Sequence, residues 1–205
     1  MKAAYVPPDA RPRCTWCLSS DIYVRYHDVE WGVPEHDDQK LFAKLMLDGA
    51  QAGLSWITIL KKRDGYYRAF DNFNAEKMAR YSEKKIAALL ADPGIVRNRL
   101  KVNAAVTNAR AYLKLREELG SFDKFLWQFT GGKTKRNAWT SLKQLPARTP
   151  ESDAMSAALR ERGFKFVGST ICYAFMQAVG MVNDHRVDCF RHEEIAKMSF
   201  DCSTG

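Results

Sequence analysis

The sequence predicts an all-α fold, on three observations. Apolar residues recur at spacings of three and four in several windows, which is the period of a helix face rather than the alternation of a strand. Those windows are punctuated by capping residues at one end and by Gly or Pro at the other. No stretch alternates convincingly in twos, no βαβ rhythm runs through the chain, and no repeat returns at about 20–50 residues. At 205 residues the chain has the length of one domain or of two small intertwined subdomains. A hydrophobic fraction of 46% with 27% charged residues excludes a disordered, collagenous or low-complexity chain.

The elements follow in order. Residues 1–12 hold Pro7, Pro8 and Pro12 and no apolar period, so a flexible lead-in is expected. From Asp37 the pattern turns helical through Leu41, Phe42, Leu45 and Met46, with Asp37 or Asp38 as cap. Gly49 and Gly53 bracket a short break, and Ser55 to Lys62 reads as helix again with Trp56, Ile59 and Leu60 on one side. Asn74 and Ser82 are N-caps of two short helices that end before Pro93-Gly94. Residues 98–118 give a longer helix carrying Val102, Val106, Ala109 and Tyr112, and Ser121 caps a short aromatic one. Gly131-Gly132 and the polar run to Arg148 read as a loop. Thr149-Pro150 starts a helix with Pro at its first position, ending at Gly163. Two last segments cover 168–181 and 184–195. The organisation is a single helical domain over 13–190, a flexible extension 1–12 and a tail 191–205.

Charge and cysteine usage narrow the class of function. Thirty-two Lys and Arg against 24 Asp and Glu leave a net charge of +8. That balance suits a polyanion partner, with nucleic acid the first candidate beside the plainer reading of a basic soluble protein. Five cysteines, an odd and sparse set, argue against a disulfide framework. The N-terminus has no apolar core of signal-peptide length. Residues 166–183 carry no charge, but Gly168, Ser169, Thr170, Gln177, Gly180 and Asn183 interrupt them, which suits a buried helix better than a bilayer span. A cytoplasmic protein with reduced thiols and no membrane contact is expected.

Three constellations carry chemistry. His185 and Cys189 are four apart, so on a helix they share one face. Cys14, Cys17 and His27 lie near the start, so two soft donors from each end of the chain would complete a tetrahedral zinc shell. A closed four-ligand shell has no open position and would be structural. The spacing leaves open which of Cys14 and Cys17 ligates, and equally whether Cys189 is simply a small buried hydrophobe. The second constellation is the segment 159–170 between two helices. Gly163 can end the first helix in a left-handed conformation, and Gly168 lets backbone approach a ligand. The next helix then presents free N–H groups to an anion, with Arg160, Arg162 and Lys165 adding charge. An ordinary αα-hairpin is the simpler alternative. Third, Trp16, Tyr23, Tyr26, Trp31 and Trp56 fall within 41 residues. They form either an aromatic core or a cage for a flat, cationic ring such as an extruded base.

Taken together the blocks resemble one family, the bacterial 3-methyladenine DNA glycosylase I proteins. The resemblance is carried by Cys14-x-Trp16 and Tyr26-His27-Asp28-Val29-Glu30-Trp31-Gly32-Val33-Pro34. It continues in Gln51-Ala52-Gly53-Leu54-Ser55-Trp56-Ile57-Thr58-Ile59-Leu60, in Arg162-Gly163-Phe164-Lys165-Phe166-Val167-Gly168, and in Val182-Asn183-Asp184-His185 with Cys189. It implies a helix-hairpin-helix DNA glycosylase fold, with a structural zinc on Cys14, His27, His185 and Cys189 tying the N- and C-terminal segments. It implies a base pocket lined by Trp16, Tyr23, Tyr26, Trp31 and Trp56. Gly53 and Leu54 would plug the gap left by the flipped base. The backbone around Gly163, Gly168 and Thr170, with Lys165 beside it, would hold DNA phosphate. The expected partner is double-stranded DNA with alkylated bases, the product is free 3-methyladenine, and the expected state is a monomer.

One position departs from the pattern. Where the family usually shows Glu, this chain has Asp48, which ends about 1.5 Å further back. N3-methylation already weakens the glycosidic bond by making the base cationic. Flipping and stacking by Tyr26 and Trp56, with Asp48 as the carboxylate and water as the attacking group, would therefore suffice without a Schiff-base lysine or a lyase step. Asp184 sits where other helix-hairpin-helix glycosylases carry a catalytic Asp, but the resemblance gives it no such role; a part in orienting the local turn is expected. Two alternatives remain at the level of sequence: a zinc-stabilised protein that binds alkylation damage without excising it, and a glycosylase with a shifted base preference.

Overall fold

Caps set the helix starts in the computed structural model, which describes residues 9–198. The helices are α1 (Asp21–Val29), α2 (Asp38–Gln51), α3 (Trp56–Ala69), α4 (Ala75–Ala79), α5 (Glu83–Ala91), α6 (Arg99–Leu119), α7 (Phe122–Trp127), α8 (Pro150–Glu161), α9 (Ser169–Ala178) and α10 (Phe190–Met198). Asp37 accepts from the Lys40 amide at 2.8 Å at the start of α2. Asn74, Ser82, Asn98 and Ser121 do the same for α4 to α7, and Thr149 forms a capping box before Pro150.

The all-α expectation holds but for two residue pairs. β1 (Lys135–Arg136) and β2 (Val182–Asn183) form a parallel bridge, Lys135 opposite Val182 and Arg136 opposite Asn183. Strands of two residues are too short for a period to show. α3 runs to Ala69, well past Lys62. α1 had no clear signal, because its buried side chains, Val24, Tyr26 and His27, include two polar ones. Residues 184–189 are not helical, and α10 begins only at Phe190, so His185 and Cys189 do not share a helix face. α10 also takes in residues grouped above with the tail. Of the lead-in, Arg13 is anchored to Asp9 at 2.8 Å, and the Pro12 carbonyl accepts from the Phe190 amide at 3.0 Å. The expectations for residues 1–8 and 199–205 lie outside the described residues. Among those described, no helix is long and apolar enough to cross a membrane.

The chain divides into two compact units. The first comprises the residues up to Glu35, Thr130–Ala147 and those from Met176 onward. It is short of long helices and is built by loops that must approach closely. Gly180 shows why: its φ is +74°, and a Cβ there would stand 2.5 Å from the Pro34 nitrogen and 2.7 Å from the Gly32 carbonyl. This approach seats the loop Trp31–Pro34 on the turn after α9, with the Gly32 amide donating to the Ala178 carbonyl at 3.3 Å.

The second unit comprises His36–Phe129 and Arg148–Phe175. Its core is a run of rings, Phe42 on Tyr112 (4.5 Å between centroids), Tyr112 on Phe122 (5.1 Å) and Phe122 near Phe164 (6.0 Å), which joins α2, α6, α7 and the α8–α9 hairpin. Polar links fix the register. Asp38 on α2 accepts from the amides of Phe122 and Asp123 at the start of α7, at 3.1 and 2.8 Å. Asn108 on α6 holds the hairpin by accepting from the Lys165 amide at 2.7 Å and donating to the Lys165 carbonyl at 3.0 Å.

Candidate functional site

In the first unit, donor atoms of Cys14, His27, His185 and Cys189 all lie within 4.8 Å of one another, and all four residues are buried. Cys189 Sγ stands 3.4 Å from His27 Nε2 and 3.6 Å from His185 Nδ1, and Cys14 Sγ is 3.8 Å from His185 Nδ1. Four residues that span most of the chain therefore face one point. His27 comes from α1, Cys14 from the segment before it, and the other two from the turn between β2 and α10, where the backbone and not a helix repeat brings them together.

The outer nitrogens of both imidazoles are also engaged. His27 Nδ1 faces Asp28 Oδ1 at 2.7 Å, and His185 Nε2 faces the Trp31 carbonyl at 3.0 Å. Arg13 in turn grips Asp28 through Nε and Nη2, at 3.0 and 2.8 Å. Burial pulls Asp28 upward, but Arg13 and His27 outweigh it and hold the carboxyl below its ordinary value. The Arg186 amide donates to Cys14 Sγ at 3.4 Å. Hydrogen bonding between the two sulfurs drives Cys189 toward thiolate and pushes Cys14 the other way. Such a set can hold a metal ion. Cys17 is buried nearby, but its Sγ donates to the Cys14 carbonyl at 3.0 Å and it is not part of the four-residue set.

Four of the five aromatic residues join this centre. Trp16 meets Tyr23 at 5.6 Å, Tyr26 at 6.4 Å and Trp31 at 5.1 Å, in edge contacts. Trp31 also packs edge-on to His185 at 4.5 Å. Tyr26 and Trp31 are buried, whereas Trp16 and Tyr23 are half-exposed. Asp184 lies at the heart of a separate cage, accepting from Asn137 Nδ2 and Trp139 Nε1 at 2.7 Å and from Gln177 Nε2 at 2.8 Å. Three donors on one carboxylate make it an organiser of the turn that carries His185. Asn137 and Trp139 sit in a run that reads as plain loop in the sequence, and Gln177 comes from α9.

In the second unit, Asp48 is 1% exposed on α2. Its Oδ1 pairs with Lys44 one turn earlier, while Oδ2 has no hydrogen-bond partner among the described residues. Burial raises the Asp48 carboxyl above its ordinary 3.8, with Lys44 opposing. The same Lys44 Nζ lies 4.2 Å from the centre of the Trp56 ring at the start of α3. Sequence reading passed over Lys44, although its i,i+4 relation to Asp48 was a usable signal. The turn between α2 and α3 exposes Gly53, at φ +76°, and Leu54, 40% exposed.

The hairpin between α8 and α9 is formed as expected in outline and corrected in detail. Gly163 ends α8 at φ +90°, but its amide donates to the Arg160 carbonyl at 2.9 Å and is committed to the cap. Within α9 the first amide accepted is that of Cys172, to Gly168. The amides of Ser169, Thr170 and Ile171 precede it, the usual donors of a helix start. The Lys165 and Thr170 side chains are exposed. An Arg160 nitrogen lies 3.5 Å from where a Gly168 Cβ would stand.

Comparison with known proteins agrees with this layout. A methyladenine glycosylase family model matches residues 16–192. The chain is 49% identical over 177 residues to DNA-3-methyladenine glycosylase 1 of Escherichia coli (strain K12), covering 86% of this chain and 95% of that protein. It is 48% identical over 177 residues to DNA-3-methyladenine glycosylase of Haemophilus influenzae, covering 86% and 96%. Among solved structures, one of 3-methyladenine DNA glycosylase I has 49% identity and a TM-score of 0.86, covering 87% of this chain and 98% of that one. Another, concerning 3-methyladenine recognition by the Staphylococcus aureus 3-methyladenine DNA glycosylase I, has 37% identity and a TM-score of 0.84, covering 88% and 96%. With the match running through nearly all of its described residues, this chain belongs to the methyladenine glycosylase family.

Proposed function

We propose that this chain hydrolyses the N-glycosidic bond of 3-methyladenine in alkylated double-stranded DNA, releasing the free base in a base-excision step without lyase chemistry. The observation that carries the reading is the pairing of a buried carboxylate and an indole face, Asp48 and Trp56, around a single cation, the Lys44 ammonium. A base methylated at N3 is a flat cation. A carboxylate and a π face are the two groups that recognise one.

The roles follow from this reading. The base is extruded from the duplex, because its glycosidic bond is out of reach in the stack. Trp56 stacks on it and Asp48 faces its positive edge. The bond from the sugar C1′ to the base breaks with its electron pair leaving on the base, which departs uncharged. Water adds to C1′ and gives up a proton. Leu54, an exposed apolar side chain on a turn, suits insertion into the vacated stack, with Gly53 allowing the turn. The start of α9, with Gly168, Thr170 and the Lys165 and Arg160 charges, suits a DNA phosphate, Gly163 shaping the turn rather than donating to it. Lys44 is ion-paired, and a protonated amine offers no lone pair for a Schiff base.

Zinc is the ion we assign to Cys14, His27, His185 and Cys189. Bond lengths of about 2.3 Å to sulfur and 2.0–2.1 Å to nitrogen imply sulfur–nitrogen edges of about 3.6 Å in a tetrahedron, close to the spacings given above. The outer imidazole nitrogens facing a carboxylate and a carbonyl are the usual support for such ligands. All four positions are filled by protein, so the ion is structural, joining the N- and C-terminal segments and steadying Trp16 and Trp31. A monomer acting in the cytoplasm, with residues 13–190 as the catalytic domain, completes the reading.

The test is release of free bases from methylated duplex DNA by the native chain, Asp48→Asn and Asp48→Glu. The native chain is expected to free 3-methyladenine, and Asp48→Asn to be slower by about 100-fold, within the range of a lost charge contact. If the native chain binds the damaged duplex but frees nothing, it is a lesion binder and the proposal fails.

A further inference from the structure

Lys44 stands where a cationic guest would stand. Its Nζ pairs with Asp48 Oδ1 and lies 4.2 Å over the Trp56 ring, so one ammonium holds both groups that the proposed reaction uses for the base. The Lys44 side chain is 17% exposed and that of Asp48 2%, so solvent screens little of this charge. The stem is an unbranched chain with freely rotating bonds, able to swing without moving α2.

We propose that Lys44 is a specificity-determining residue: its ammonium acts as a built-in competitor that a cationic base must displace from Asp48 and Trp56. The inference rests on the pocket reading above. Its consequence is selection by charge. With the ammonium in place, the negative field of Asp48 is already spent, and an arriving cation meets a like charge. An uncharged methylated purine meets no such repulsion and can accept a hydrogen bond from the ammonium. Lys44 therefore narrows the advantage of cationic over uncharged bases. A neutral side chain at this position widens it.

The experiment measures binding of two free purines to the full chain. One is 3-methyladenine in the uncharged form it takes above neutral pH; the other is the cationic N3,N9-dimethyladeninium ion. Both are titrated against the native chain, Lys44→Met, Lys44→Gln and Lys44→Arg. Two neutral variants guard against one failing to fold, and Lys44→Arg keeps the charge. The expected result is a gain of about ten-fold in affinity for the cation in Lys44→Met and Lys44→Gln, equivalent to about 1.4 kcal/mol. The uncharged base changes by less than about three-fold, and Lys44→Arg stays near native. Unchanged or weaker cation binding in both neutral variants overturns the proposal. Asp48→Asn and Trp56→Ala separate its failure from that of the pocket. If neither weakens either purine, the pocket reading falls and this inference with it. If both do and the Lys44 variants still show no gain for the cation, the role of Lys44 alone is refuted.

Discussion

Around Cys14 and His185, order comes from polar cross-links between segments far apart in sequence: four side chains that could hold a metal ion, an Arg13–Asp28 pair behind one of them and a three-donor cage on Asp184. Around Phe42 and Tyr112, it comes from apolar side chains on helices that follow one another along the chain, with a few buried polar links to set register. The first unit has short helices and loops that need glycine at their closest approaches. The second has long capped helices and tolerates one buried ion pair at Asp48. The contrast is between directional bonds that join segments far apart in the chain and apolar packing between helices, with the Asp48–Lys44 pair buried within the latter.

The largest expected effect tests the first half of that contrast. Cys189→Ser removes one of four ligands and leaves a buried imidazole pair without its partner. Bound zinc, measured by elemental analysis, is expected to fall from one equivalent to a small fraction. The loss of metal-coupled folding energy is expected to lower the melting temperature by about 10 °C or more. Phe122→Ala breaks the other half. Removing a fully buried ring is expected to cost about 3–5 kcal/mol. For a chain of this size that is about 6–20 °C, with zinc content unchanged. A Phe122 variant that lost its metal would mean the two regions are not stabilised separately.

The smallest effect concerns the charge at Asp48. Burial raises its carboxyl above 3.8 and Lys44 opposes the rise; the Asp48 charge in turn helps to push the Cys172 thiol of α9 up to about 12, mainly an effect of burial. The reaction needs the ionised carboxylate, so excision is lost as pH falls through the raised value, and the acid limb lies above that of an ordinary aspartate. In Lys44→Met the opposing charge is gone, and the limb shifts to still higher pH. Asp48→Asn has no group to titrate there and shows no such limb. Rate profiles of base release across acid pH read all three. An unmoved limb in Lys44→Met would mean the ion pair does not set the carboxylate's ionisation.

Sequence by itself determined most of the helices and many of their starts, because caps such as Asp37, Asn74, Ser82, Ser121 and Thr149 act within three residues of themselves. It also determined the family, through motifs whose residues are contiguous, and with the family the four residues, Cys14, His27, His185 and Cys189, that the structure brings together. What it could not determine is what depends on distance in space. His185 and Cys189 suggested a helix face and are instead joined by a turn, held by Asp184 and by residues about 45 positions away in a loop without a pattern. The Gly163 amide looked free and is consumed by its own helix end. The two-residue bridge at β1 and β2 is below the length at which alternation exists. Lys44 is the sharpest case: in sequence it is one lysine on an exposed-looking turn of helix. Only the tertiary structure decided that its charge is shared between Asp48 and Trp56, because α3 has to fold back on α2 before the indole face and the carboxylate meet one ammonium.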